Sequence, residues 1–174
     1  LSQVLNKKPD FIFFGGMYAE GGLLIKQARE KGIDVPIMGG DGLDSSTIVQ
    51  IAGDKIKNTY FSSIATDITK TDEGKKWADR YKQTFNKNPE GYSVYGYDSM
   101  SVVLTGVENA IKANGSKLPT RVEVRDAVRA IQDFQGVATK VGFDAIGDNK
   151  YAKVFIYKFD APTYPGTYVS EVSK

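Results

Sequence analysis

Phe11-Ile-Phe-Phe-Gly-Gly-Met-Tyr18 and, one helix later, Pro36-Ile-Met-Gly-Gly-Asp-Gly42 decide the fold. Four consecutive apolar residues, Phe11 to Phe14, suit a strand buried on both faces, as in parallel sheets. Gly15-Gly16 ends it. Leu23, Leu24 and Ala28 recur at helical spacing within residues 20–31, and Gly32 is a natural stop after a last turn rich in Lys and Arg. Val35 to Met38 predicts the next short strand. Two parallel strands joined by a helix cross over right-handedly, so both glycine turns open on the same edge of the sheet. Small ligands bind beyond that edge in open α/β sheets. Asp41, the carboxylate at the second turn, reads as a ligand contact; the alternative is that it caps a turn or the following helix.

Outward from that core, Asp44-Ser45-Ser46 offers N-cap candidates for a short helix over 47–52, and Gly53-Asp54 breaks it. Thr59 to Ser63 has strand composition. The first 63 residues thus read strand–helix–strand–helix–strand, a parallel α/β unit. Residues 65–71 are polar and turn-like. Asp72 is expected to cap a helix to about Asn86, with Trp77, Tyr81 and Phe85 on one face that reads as core. Pro89 and Gly91 mark a loop. Tyr92 to Asp98 leads into a helix over 97–114, with Val103, Val107, Ala110 and Ile111 as its apolar face. Thr120 with Glu123 fits a capping box for a helix over 121–131. Gly147-Asp148 signals a tight turn, and Tyr151 to Phe159 alternates as a strand added to a sheet or hairpin. The tail, with Pro162, Pro165 and Gly166, reads as irregular.

Composition narrows the function. The chain has 174 residues, 41% apolar and 25% charged, as in globular domains. A net charge of +2, spread along the helices, leaves no nucleic-acid footprint. Leu1 opens in what reads as the end of a helix, so the chain is expected to be mature, trimmed or partial. Cysteine and histidine are both absent, which excludes thiol chemistry and any triad or zinc site built on them. An enzyme using carboxylates, such as Glu20 with Asp41, stays open. However, Gly15-Gly16 lacks the spacing of a dinucleotide loop, no phosphate loop follows, and Glu20 suits the first turn of a helix. No metal site and no cofactor are expected.

Residues 9–33, 36–42 and Ile51-Ala-Gly-Asp54 closely resemble the branched-chain amino-acid binding proteins. Gly91-Tyr-Ser-Val-Tyr-Gly-Tyr-Asp98, Ala127-Val-Arg129 and Val141 to Asp148 continue the match over nearly the whole chain. These are periplasmic or lipid-anchored receptors of ABC importers with a two-lobe, type I periplasmic-binding-protein fold. The resemblance implies a parallel three-layer α/β second lobe over 1–63, helices of the first lobe over 66–150, and a return to the second lobe over 152–174. Hinges are then expected at 64–66 and 150–153. The strands on which the 72–86, 97–114 and 121–131 helices pack would come from an absent N-terminal half.

In such receptors an acidic residue after the second glycine pair takes the ligand ammonium, and the match falls on Asp41. The family often has Glu there, so a shorter side chain shifts the ligand or admits a water. An aromatic at the first glycine turn is replaced here by Met17, with Tyr18 next, and either could line the pocket. Tyr92 matches a first-lobe aromatic that covers the ligand side chain, whereas Tyr95 and Tyr97 read as helix or hinge packing. The groups that hold the ligand carboxylate lie upstream, so this chain alone is expected to bind amino acids very weakly. The partners implied are an amino acid, the missing half and a membrane permease. A ligand-sensing receptor or amide-responsive regulator of the same fold is the alternative, because fold alone does not set function.

Overall fold

The computed structural model describes residues 1–172, the Leu5 side chain excepted; the last two residues of the expected 152–174 segment lie outside them. In chain order the elements are α1 (Ser2–Asn6), β1 (Ile12–Phe14), α2 (Tyr18–Glu30), β2 (Ile37–Gly39), α3 (Ser46–Ala52), β3 (Thr59–Ser63), α4 (Asp72–Phe85), α5 (Ser93–Ala113), α6 (Arg121–Arg129), β4 (Phe134–Gln135), β5 (Lys140–Val141), β6 (Val154–Phe159) and β7 (Thr167–Val172). They form two compact units. The sheet unit comprises Leu1–Ala65 and the chain from Lys153 onward; the helical unit is Thr66–Ala152.

The sheet unit is a five-stranded sheet in the order β1-β2-β3-β6-β7. The first three strands are parallel, as the crossover helices between them require, and β6 and β7 add antiparallel. Register places Ile12, Ile37, Thr59 and Phe159 in one row and Phe14, Gly39, Phe61 and Tyr157 in the next on the same face. Ile25 and Ala28 of α2 and Ile48 and Ala52 of α3 close over that face. Phe61 stacks on Phe159 at 4.9 Å and on Tyr157 at 5.4 Å. At the end of the sheet where β1 to β3 begin, Arg29 donates from one guanidinium to the carbonyls of Ile33, Val35, Lys57 and Asn58. It thereby ties the end of α2 to the starts of β2 and β3.

Two expectations for this unit need correction. β1 is not buried on both faces: Phe13 alternates away from the core and is 65% exposed. Its row continues through Met38, Tyr60 and Lys158, on the face opposite the one that α2 and α3 cover. The tail is not irregular either. Pro162, Pro165 and Gly166 occupy only the connection, and β7 follows as an edge strand paired with β6 across a bulge. Edge position explains how six exposed residues still form a strand, since one neighbour supplies its ladder.

In the helical unit, α4 is capped by Thr71, whose hydroxyl accepts from the Gly74 N–H, so Asp72 is the first helical residue and not the cap. Trp77, Tyr81 and Phe85 do line one face, with successive ring centroids at 5.3 and 4.7 Å, but of the three only Trp77 is buried. α5 begins at Ser93, four residues before the expected start, because Gly96 is accommodated within the first turn. Its buried face is Val94, Asp98, Val102, Gly106 and Ala110, so Val103 lies outside it. Asp98 is 4% exposed and accepts from the Val137 and Ala138 N–H groups at 2.9 and 2.8 Å, which fixes the loop of the β4–β5 hairpin. The capping box of Thr120 and Glu123 opens α6 as expected. Asp144 Oδ1 accepts from Ile146, Gly147 and Asp148, and Gly147 supplies the positive φ that this turn needs.

Candidate functional site

The C-terminal ends of β1 and β2 carry the two glycine turns, and the turns touch. A methyl group on Gly42 would stand 2.6 Å from the Gly16 carbonyl oxygen and 2.9 Å from the Met17 sulfur. Beneath them Leu43, fully buried, fills the space that Gly39 and Gly21 leave open. A side chain at Gly39 would meet Leu43 at 2.4 Å, and one at Gly21 would meet it at 2.6 Å. The glycines are thus required by close approach rather than by unusual dihedrals.

Asp41 opens a short 3-10 turn, Asp41–Leu43, and its side chain is exposed at the strand edge. Its backbone carbonyl accepts from the Asp44 N–H at 3.0 Å. Met17 is the N-cap residue of α2, in extended conformation, and is 57% exposed. Tyr18, the first residue of α2, is half-buried and packs on the sheet core. Asp41 and Met17 therefore share one corner of the sheet unit, with Met17 the more accessible of the two candidates at the first turn. Tyr92 belongs to the helical unit. It precedes α5 as its N-cap residue, is half-buried, and lies 6.4 Å from the Tyr95 ring. Burial pushes the Tyr95 phenol above its ordinary range, offset in part by a hydrogen bond with the Thr66 backbone.

A second set of polar groups lies just behind Asp41. Asp44 was expected only as a possible cap, but Ser45 caps α3, accepting from the Thr47 N–H. The Asp44 carboxylate instead accepts from the Ser63 hydroxyl at 2.6 Å and the Tyr164 hydroxyl at 2.8 Å. These partners lie 19 and 120 residues away in sequence, so no local motif announces them. Among the described residues no cluster of His, Cys, Asp or Glu could hold a metal ion, and no helix is long and apolar enough to cross a membrane.

This corner thus brings together one exposed carboxylate, an exposed thioether beside it and closely packed glycine turns beneath. The profile described as periplasmic binding protein matches residues 1–162. A leucine-, isoleucine-, valine-, threonine- and alanine-binding protein of Pseudomonas aeruginosa is 30% identical over 160 residues, 91% of this chain and 40% of that protein. The leucine-binding protein LivK of Thermotoga maritima superposes with a TM-score of 0.83 at 24% identity, over 98% of this chain and 47% of that one; at that identity it shows the fold. The branched-chain amino acid transporter substrate-binding protein LivJ of Streptococcus pneumoniae, solved in complex with isoleucine, gives 0.75 at 31% identity, over 92% and 44%. The chain spans less than half the length of these relatives.

Proposed function

The chain belongs to the periplasmic binding protein family, and from that premise we propose that it is part of an extracytoplasmic receptor that captures a branched-chain or related amino acid for an ABC importer. It acts by binding and closure, not by catalysis. The observation that carries the reading is the pair of touching glycine turns at the parallel-strand edge with exposed Asp41 at its tip.

A zwitterionic ligand meets that corner with its ammonium on Asp41, a charge-assisted hydrogen bond. Met17 offers an apolar, adaptable surface beside it, while Tyr18 serves the core. The sheet unit corresponds to the second lobe, and residues 66–150 to part of the first. Tyr92 then approaches the ligand side chain when the lobes close about 64–66 and 150–153. Residues upstream of Leu1 complete the first lobe and hold the ligand carboxylate. The receptor works in the periplasm or anchored by lipid outside the cell.

Isothermal titration of the full-length protein with leucine, isoleucine and valine tests this. Removing one charge-assisted bond costs about 1.5–3 kcal/mol, so Asp41→Ala is expected to weaken binding roughly 10- to 100-fold. Unchanged affinity in that variant would remove Asp41 from the site.

A further inference from the structure

We propose that Asp44 is a positioning residue for ligand capture, tying the turn that carries Asp41 to the point where the chain leaves the sheet unit. The inference rests on the receptor reading above and adds to it a residue that does not touch the ligand.

Asp44 is joined to Asp41 through one short turn, closed by the 3.0 Å bond from its N–H to the Asp41 carbonyl. Its two carboxylate oxygens are divided between two elements. Oδ2 accepts from Ser63 at the end of β3, and Oδ1 accepts from Tyr164 on the β6–β7 connection. Hydroxyl-to-carboxylate bonds of 2.6 and 2.8 Å are of the strong, charge-assisted kind. Ser63 is 1% exposed and passes the tie onward: its Oγ accepts from the Ala65 N–H at 2.9 Å. The Ala65 carbonyl in turn accepts from the Tyr157 hydroxyl at 2.8 Å. Both backbone groups of Ala65 are therefore held by side chains of the sheet unit, and Ala65 is the last residue of that unit before Thr66.

A hinge works only if its fixed side is fixed. With Ala65 clamped, rotation is absorbed from Thr66 onward, and the Asp41 turn moves as one body with the strand end. Loosening the clamp lets the Asp41 turn and the crossing fluctuate independently, so ligand binding must order both. That ordering cost appears as faster release.

Tyr164→Phe removes one hydroxyl and leaves the ring in place. In the full-length protein it is expected to raise the leucine dissociation rate roughly three- to tenfold. In an Asp41→Ala background the same change should have a smaller effect on the residual affinity, because the tie then positions only the crossing. Ser63→Ala should behave alike. A merely structural role would lower the melting temperature while the two affinity effects simply added; additivity, or a dissociation rate unchanged in both variants, overturns the proposal. Hydrogen exchange without ligand reads the tie separately. Tyr164→Phe should speed exchange at the Ala65 amide, and unchanged exchange there sinks the tie itself. Failure of the wild-type protein to bind any of the three amino acids would instead sink the receptor reading.

Discussion

Thr59 and Ser63 show at the level of single residues how hydrogen-bond satisfaction decides the sign of a mutation at a buried hydroxyl. Thr59 begins β3 at 0% exposure, and its hydroxyl has no hydrogen-bond partner among the described residues. Leaving a buried hydroxyl unsatisfied costs about 1–3 kcal/mol. Valine has nearly the same shape and strand preference without that oxygen. Thr59→Val is therefore expected to stabilise the protein by about 1 kcal/mol, read as a higher urea midpoint with an unchanged slope. At Ser63 in the same strand a hydroxyl is equally buried but spends both of its roles, donating to Asp44 and accepting from Ala65. Its removal strands a carboxylate and an N–H, so the opposite sign follows. Which buried hydroxyl is which could not be read from Thr59-Tyr-Phe-Ser-Ser63. That Asp41 and Met17 stand at neighbouring glycine turns was legible because the glycine pairs that place them are local. Asp44 was not, because its partners arrive through β3 and the β6–β7 connection.

Between elements, the contact of α5 with α6 sets two known magnitudes against each other. Gly106 sits inside α5, where alanine would gain about 1 kcal/mol of helix propensity. A methyl group there would stand 2.2 Å from Val128 Cγ2 and 3.2 Å from the Val128 backbone N and Cα. Valine is stiff at χ1, and backbone at that distance cannot swing aside, so α6 itself must move. Overpacking of this kind costs about 1–3 kcal/mol and outweighs the propensity gain. Gly106→Ala is expected to lower stability by about 1 kcal/mol in chemical denaturation, with Val128→Ala in the same chain restoring part of the loss. The face that carries Gly106 was only half legible. The apolar period of α5 was clear, but Val102 and Val103 are adjacent valines, and the fold buries Val102 where the sequence reading chose Val103. α6 itself was plain from Thr120 and Glu123, since a capping box is a local hydrogen-bonded device. β7 was obscured because prolines in its approach masked a strand that a neighbour, not its own sequence, holds in place.

For the molecule as a whole the informative quantity is apolar surface left in water. In the sheet unit Phe11 and Phe13 are 49% and 65% exposed. In the helical unit Met100 and Leu104 of α5 are each 60% exposed, and with Tyr97 they recur at i, i+3 and i+7 as a second apolar stripe. Isolated exposed apolar residues are ordinary, whereas stripes at helical or strand period mark surfaces built to be covered. The relatives are more than twice as long as this chain, and under the receptor reading proposed above the segment that covers both surfaces is the remainder of the protein. Burying such side chains contributes about 1.5–3 kcal/mol each, so joining the remainder should raise stability by well over a single contact. The 174-residue chain on its own is expected to bind a hydrophobic dye, to self-associate, and to show no heat of leucine binding at micromolar concentration. The full-length protein should do the reverse on all three measures. Micromolar leucine binding by the monomeric 174-residue chain would mean that Asp41, Met17 and Tyr92 suffice, and that the upstream residues add stability without adding the site.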